Sequence, residues 1–267
     1  MNRRVAFRMV LRILAGVMIV ALFGFVSYRR HESTIRKTEV DIVNKGEFRF
    51  VHENDILKLL EEKHVPFKEV SYGELELRRA EEVILEHPAV QAVEAWTTQD
   101  GTLHLQVEQR KPVLRVIDLL NDSYYIDEQG GFMPVSEEYT ARVPVATGFI
   151  ADRFHHQNMT LSEIANNDSI LAISETDDLF AFIRLINRDA LLQALTEQLY
   201  VDTNGDVELV TKWGPKTVFL GKSDDAPMKM MKLKLFYTQA IPTVGWEAYE
   251  SINLTLRNQI ICTKKTI

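Results

Sequence analysis

The chain has 267 residues, enough for one apolar anchor and two modest domains that each bury a core. Hydrophobic residues make up 46% and charged residues 26%, which excludes wholesale disorder. Residues 1–30 hold six arginines and no acid, so the other 25 basic and 38 acidic side chains leave a body of charge −13, which argues against nucleic-acid binding.

The first predicted element is a membrane anchor. Ile13 to Tyr28, ILAGVMIVALFGFVSY, carries no charge. Adding Val10, Leu11 and a snorkelling Arg12 gives a span over 10–28, which at about 1.5 Å per residue nearly crosses a hydrocarbon core of about 30 Å. Arg3, Arg4, Arg8 and Arg12 make residues 1–9 a cytoplasmic tail, although Arg29 and Arg30 reduce the asymmetry. A cleaved signal peptide fits less well, because Phe23-Gly24-Phe25-Val26-Ser27-Tyr28 is bulky where cleavage needs small residues. A buried soluble helix would show a polar face, and this segment has none.

Residues 36–113 read as a small α+β domain. Ile35–Val43 suggests a strand through Val40 and Ile42. Ile56, Leu57, Leu59 and Leu60 mark one face of a helix over Glu53–Glu62. A second helix is expected from about Tyr72 to Glu86, closed by Pro88. Val90–Thr97 is a strand, Asp100-Gly101 a hairpin turn, and Leu103, Leu105 and Val107 alternate as a half-buried strand. Two helices can cover one face of the resulting three-stranded sheet.

Three phrases in this stretch occur in a familiar order. They are His87-Pro88-Ala89-Val90-Gln91-Ala92-Val93-Glu94, Asp100-Gly101-Thr102-Leu103-His104-Leu105, and Val107-Glu108-Gln109-Arg110-Lys111-Pro112. Together they resemble the POTRA domain of the bacterial FtsQ/DivIB division proteins, with Arg110 and Pro112 on that family's closing pattern. Asn44-Lys45-Gly46 departs from the family's usual glycine after the first strand.

Residues 114–267 read as a strand-rich β domain with a few helices. Tyr124–Gly131 resembles the family's strand ending in an I-D-x-x-G turn, and Met133–Ser136 and Val143–Gly148 fit two short strands. Thr160-Leu161-Ser162-Glu163 has capping-box spacing. Leu179, Phe182, Ile183 and Ile186 form a helical core stripe. Leu199–Thr203 and Val207–Val210 flank Asn204-Gly205, a hairpin signal, and Thr217–Gly221 is a further strand. Ala226–Ala240 is expected as a helix with a basic side at Lys229, Lys232 and Lys234, with Met and Leu inside and Pro242 closing it. The last strand is Ser251–Leu256, followed by a turn at Arg257-Asn258 and then Gln259–Cys262. Its alternation puts Ile252, Leu254 and Leu256 on the core face. Asn253, Thr255 and Arg257 fall on a wetter face beside a backbone edge expected to be free. The terminal I-N-L run again resembles the family, with Thr255 and Leu256 where an arginine and an aromatic are common.

No residue set reads as an active site or cofactor site. His155-His156 are adjacent, and neighbouring side chains diverge on a strand or a helix, so the pair is a poor chelate. Asp202-Thr203-Asn204-Gly205-Asp206 lacks calcium-loop spacing and reads as a hairpin turn. Glu175, Asp177 and Asp178 suit the first turn of a helix. Cys262 is the single cysteine, which excludes an internal disulfide and CxxC metal or redox sites. The sequons at Asn158, Asn167 and Asn253 matter only in a eukaryotic secretory pathway.

The FtsQ/DivIB resemblance implies a non-catalytic divisome scaffold. It would be a single-pass protein of the bacterial inner membrane, with its bulk in the periplasm at the division septum. It also implies partners: FtsB and FtsL, with FtsK and the septal peptidoglycan synthase complex as further candidates. The partner-binding residues would be Ile252, Asn253, Leu254, Thr255, Leu256, Arg257, Gln259 and Ile260, acting by strand addition to the sheet. The alternatives are another POTRA-bearing membrane protein of export or assembly, which should show tandem POTRA repeats, and a signal-anchored enzyme, which should show a nucleotide site or a DxD motif.

Overall fold

The computed structural model of the protein describes residues 14, 16–21, 34–151 and 175–265. The chain divides into two units between Gln109 and Arg110.

The first unit contains β1 (Lys37–Ile42), α1 (Glu53–Glu62), α2 (Leu77–Leu85), β2 (Val90–Thr97) and β3 (Thr102–Gln109). The sheet order is β1-β3-β2, with β1 parallel and β2 antiparallel to β3. This is the β-α-α-β-β order expected of a POTRA domain. Leu103, Leu105 and Val107 of β3 are buried with Ile56 and Leu60 of α1 and Ala80, Val83 and Ile84 of α2. Helix α2 starts at Leu77, later than the expected Tyr72. Ser71 donates to Glu74 Oε2 at 2.9 Å and holds the preceding residues in a turn instead.

The departure at Asn44 has a structural role. Its Nδ2 donates to Gln109 O at 3.0 Å, and its Oδ1 accepts from Gln109 N at 3.1 Å. The fully buried Gln109 side chain accepts the N–H groups of Phe50 and Val51 at 2.8 and 3.0 Å and donates to Phe48 O at 3.1 Å. One amide therefore satisfies a turn that a glycine would have left to the backbone alone.

The second unit contains β4 (Pro112–Ile117), β5 (Ser123–Asp127), β6 (Phe132–Pro134), β7 (Val145–Gly148), α3 (Glu175–Ile186) and α4 (Ala190–Leu195). These are followed by β8 (Thr196–Val201), β9 (Val207–Thr211), β10 (Thr217–Gly221), α5 (Ala226–Leu235), α6 (Ile241–Val244), β11 (Tyr249–Asn253) and β12 (Ile261–Lys264). Among the described residues the strands form one sheet in the order β12-β11-β10-β9-β8-β7-β4-β5-β6. Leu179, Phe182, Ile183 and Ile186 of α3 and Met230 and Leu233 of α5 bury themselves with Leu199, Leu209, Val218 and Ile252 of the strands. Apolar residues on alternate strand positions thus meet a helical stripe, as the two periods require.

Three expectations are corrected here. Pro242 does not close the helix begun at Ala226. A π turn over Phe236–Ala240 carries the chain into α6, where Pro242 occupies the first turn and Gly245, at φ +89°, ends it. Proline is tolerated there because a first-turn N–H has no helical partner to lose. The expected basic side of α5 holds at Lys234, which is exposed, with Met230 and Leu233 inside, but not at the other two lysines. Lys229 and Lys232 are buried, while Met228 and Met231 are exposed. Finally, Pro112, expected to close the first domain, instead opens β4.

Among the described residues no helix is long and apolar enough to cross a membrane. Residues 16–21 are helical, and the rest of the expected 10–28 span, Leu14 apart, lies outside the described residues. So do the Thr160 capping box, His155, His156, Asn158 and Asn167.

Candidate partner-binding edge

Among the described residues the nine-stranded sheet has two ends, and each presents unpaired backbone groups unless it is blunted. At one end, β6 is three residues long and includes Pro134, which has no N–H to offer. Arg110 ties this end down. Its Nε lies 2.6 Å from Asp127 Oδ2, and its Nη1 donates to Phe132 O at 2.9 Å. Asp127 Oδ1 in turn accepts from Gln129 N at 2.9 Å and Gly131 N at 2.7 Å.

At the other end is β12, free of proline, with Ile261 47% exposed and Thr263 and Lys264 exposed. Its register opposite β11 pairs Ser251 with Thr263, Ile252 with Cys262 and Asn253 with Ile261. Leu254 N donates back to Phe219 O at 2.9 Å, so the even-numbered residues around β11 turn their backbone toward β10. The odd-numbered ones face β12. Alternation then commits the backbones of Ile261 and Thr263 to β11, and Lys265 N donates to Ala248 O at 3.4 Å. The N–H and C=O groups of Cys262 and Lys264 point outward.

This geometry overturns the expectation that the edge beside Ser251–Asn253 is free. Strand β11 pairs parallel with β10 on one side and antiparallel with β12 on the other. The physical reason lies in the turn after it. Asn253 Oδ1 accepts from Thr255 N at 2.9 Å and Thr255 Oγ1 at 2.6 Å and ends β11. The chain then reverses at Arg257-Asn258 and returns as β12. The β-branched Ile260-Ile261 just past that turn was the available signal for a covering strand.

The eight expected site residues consequently separate. Ile252 and Leu254 are fully buried in the core, and Asn253 is half-buried at the end of β11. Thr255, Leu256, Arg257 and Gln259 are exposed in the connecting loop, and Ile260 is half-buried against the core. Leu256 was expected inward; the turn breaks the strand alternation before it. Arg257 Nε lies 3.3 Å from Asp225 Oδ2 across an exposed surface.

Beyond the far end of β12 lies a groove of about 1330 Å³, lined in part by Trp213, Trp246, Tyr249 and Lys265. Tyr237 Oη donates to Trp213 O at 2.9 Å, and Gly214, at φ +82°, makes the tight turn beside it. Burial pushes the Tyr237 phenol above its ordinary value, so it stays a donor. Lys265 pairs with Glu247 at 2.5 Å. That bond holds the Glu247 carboxyl below, and the Lys265 ammonium above, their ordinary values. Burial also raises the Cys262 thiol above its ordinary value.

The acidic candidates serve as turns and caps. Asp202 Oδ1 accepts from Asn204 N at 2.7 Å and Asp206 N at 2.9 Å, closing the hairpin around Gly205 at φ +77°. Desolvation works against the charged form of Asp202, but these N–H groups bring its carboxyl below the ordinary value. Asp178 Oδ1 accepts from Ser223 N at 2.7 Å. Burial, with Asp178 adjacent, raises the Asp177 carboxyl. Among the described residues no group of three or more His, Cys, Asp or Glu side chains could hold a metal ion.

Two family models match the chain. One, described as FtsQ/DivIB, C-terminal related, covers residues 111–263, and the other, described as a POTRA-like domain, covers residues 33–108. No curated protein matches the chain.

Proposed function

The chain belongs to the FtsQ/DivIB family, and from that premise we propose that it is a non-catalytic cell-division scaffold whose β12 edge receives a strand from a divisome partner. The observation that carries this reading is the pair of outward-facing backbones at Cys262 and Lys264 on a proline-free edge. The partners are FtsB and FtsL, with FtsK and the septal peptidoglycan synthase complex reached through the rest of the scaffold. Thr255, Leu256, Arg257, Gln259 and Ile260 flank the edge and contact the partner by side chain. Ile252, Asn253 and Leu254 act from behind, as the strand on which β12 lies and the start of the loop that leads to it.

The anchor belongs to the same proposal. Residues 10–28 cross the bacterial inner membrane and leave both units in the periplasm at the septum. Leu14, Val17, Met18, Ile19 and Val20 are all exposed, an apolar surface that lipid would cover.

The test is proline at Cys262 in the full-length membrane protein. It removes an outward N–H without touching the ladder to β11. A lost bond is worth about 0.5–1.5 kcal/mol, and an orphaned partner carbonyl costs about 1–3 kcal/mol more. Affinity for FtsB should therefore fall by about ten- to a thousand-fold. Wild-type affinity in C262P would place docking elsewhere.

A further inference from the structure

Helix α5 carries two lysines three residues apart, hence on one face, and both are buried. Lys229 Nζ donates to Lys222 O at 2.7 Å, just past the end of β10, and lies 3.4 Å from Asp224 Oδ1. Lys232 Nζ donates to Leu254 O at 3.0 Å and Leu256 O at 2.6 Å, just past the end of β11. Each cation thus closes the C-terminal end of one of two adjacent parallel strands.

Lys232 is the more telling of the two. Taking an ammonium out of water is costly unless its donors are met. Among the described residues it has no carboxylate within ion-pair distance. Asp225 acts on it only from further off, and Asp225 is itself 3.3 Å from Arg257. Burial, with Lys229 nearby, lowers its proton affinity. A leucine or methionine would fill the same space at less cost, so the two carbonyl bonds are what the lysine supplies.

Those carbonyls belong to residues 254 and 256, which stand between β11 and the turn. Other ties hold the same loop. Asn253 caps the end of β11, and the Thr255 methyl packs so closely on Gly221, at φ +69°, that an added Cβ there would come within 3.2 Å of it. From Leu256 only residues 257–260 remain before β12 begins. So short a connection lets the position of Leu256 govern the register of the whole edge.

We infer that Lys232 is the positioning residue of the docking edge: its buried ammonium clamps the loop carbonyls of Leu254 and Leu256 and so sets where β12 is presented to a partner strand. The clamp stands on the geometry above. Its bearing on partner capture rests on the docking role proposed for β12.

The experiment compares wild type, K232M and K232Q in the full-length chain. Methionine keeps the volume and removes every donor, whereas glutamine keeps two N–H groups on a shorter neutral arm. Amide hydrogen exchange at Ile261, Thr263 and Lys265, the amides turned toward β11, should rise at least about tenfold in K232M and less in K232Q, with β9 amides nearly unchanged. Alkylation of Cys262, the single thiol, should accelerate in the same order. Should K232M fail to fold, K232Q carries the same readout. Unchanged exchange at Ile261, Thr263 and Lys265 in a folded variant overturns the clamp. A rise shared equally with β9 also overturns it, by showing general destabilisation. A loosened edge that still captures FtsB at wild-type affinity supports the clamp and overturns β12 as the docking edge.

Discussion

The two ends of the large sheet solve one problem in opposite ways. At β6 the edge is three residues long, ends in Pro134 and is held by the Arg110–Asp127 pair, whose carboxylate side chain is 3% exposed. At β12 the edge has no proline, exposes Ile261 and turns two backbones outward. Its guards against unwanted pairing are lighter: Lys264, a four-residue length and a register shift opposite Tyr249–Ser251. The difference teaches where the chain tolerates an open ladder. The less blunted of the two edges is the one on which the proposed strand addition rests.

The largest expected effect that tests this contrast is at the closed end. Arg110→Met leaves Asp127 buried without its cation and should cost about 3–5 kcal/mol, read by chemical denaturation of the second unit. FtsB capture, measured well below the unfolding transition, should stay at the wild-type level. A fall in capture matching the fall in stability would show that the two ends are not independent.

A shallower effect separates the units by pH. Burial disfavours the imidazolium of His87, with Asp55 pulling the other way, so the folded value lies below the ordinary 6.5. The unfolded chain therefore takes up the proton first. The contribution of His87 is full above about pH 6.5 and is lost as the pH falls through the folded value. In the second unit burial raises Asp177 and Glu208 above 3.8 and 4.5, aided by Asp178 and Asp202 respectively. Their contribution is full below those unfolded values and is lost as the pH rises through the folded ones. Mild acid should thus lower hydrogen-exchange protection in α2 and β2 before it does so in β9. The reverse order would assign the acid-sensitive group to the second unit.

The smallest effect is Pro134→Thr. It restores an N–H to β6 and should shift stability by no more than about 0.5 kcal/mol. Titration should still show FtsB at a single site, because three residues are too few to hold a strand. A second binding event would show that proline alone had kept that end closed.

The first unit was largely legible in the sequence, since α1 and β2 fall on the residues that their 3.6- and 2-residue periods mark. Its turn at Asn44 was not, because the bonds to Gln109 reach across the fold. In the second unit the hairpin at Asn204-Gly205 and the stripe on α3 were readable for the same local reasons. What failed there were statements about sides. Lys229 and Lys232 look solvent-facing by type, and only their carbonyl partners, distant in the chain, make burial possible. The free edge lies one strand later than the alternation of Ser251–Leu256 suggests, because covering a strand is a property of the sheet and not of the strand. Only the exposed loop residues Thr255, Leu256, Arg257 and Gln259 and the half-buried Ile260 keep side chains near the revised edge.

The parallel pairing of β1 with β3 carries a mechanical consequence. Lys37 lies opposite Thr102 and Ile42 opposite Val107. A pull between the residues before Lys37 and those after Gln109 enters at the start of β1 and leaves at the end of β3, which are opposite ends of the pair. The strands are then loaded in shear, with the whole row of bonds sharing the force, and cannot unzip one bond at a time. A chain held in a membrane at one terminus and gripped by a moving assembly at the other would transmit tension through this unit before yielding to it. In a force-spectroscopy experiment pulled from those two points, the first unit should resist more than the antiparallel hairpin of β2 and β3 pulled from its open end.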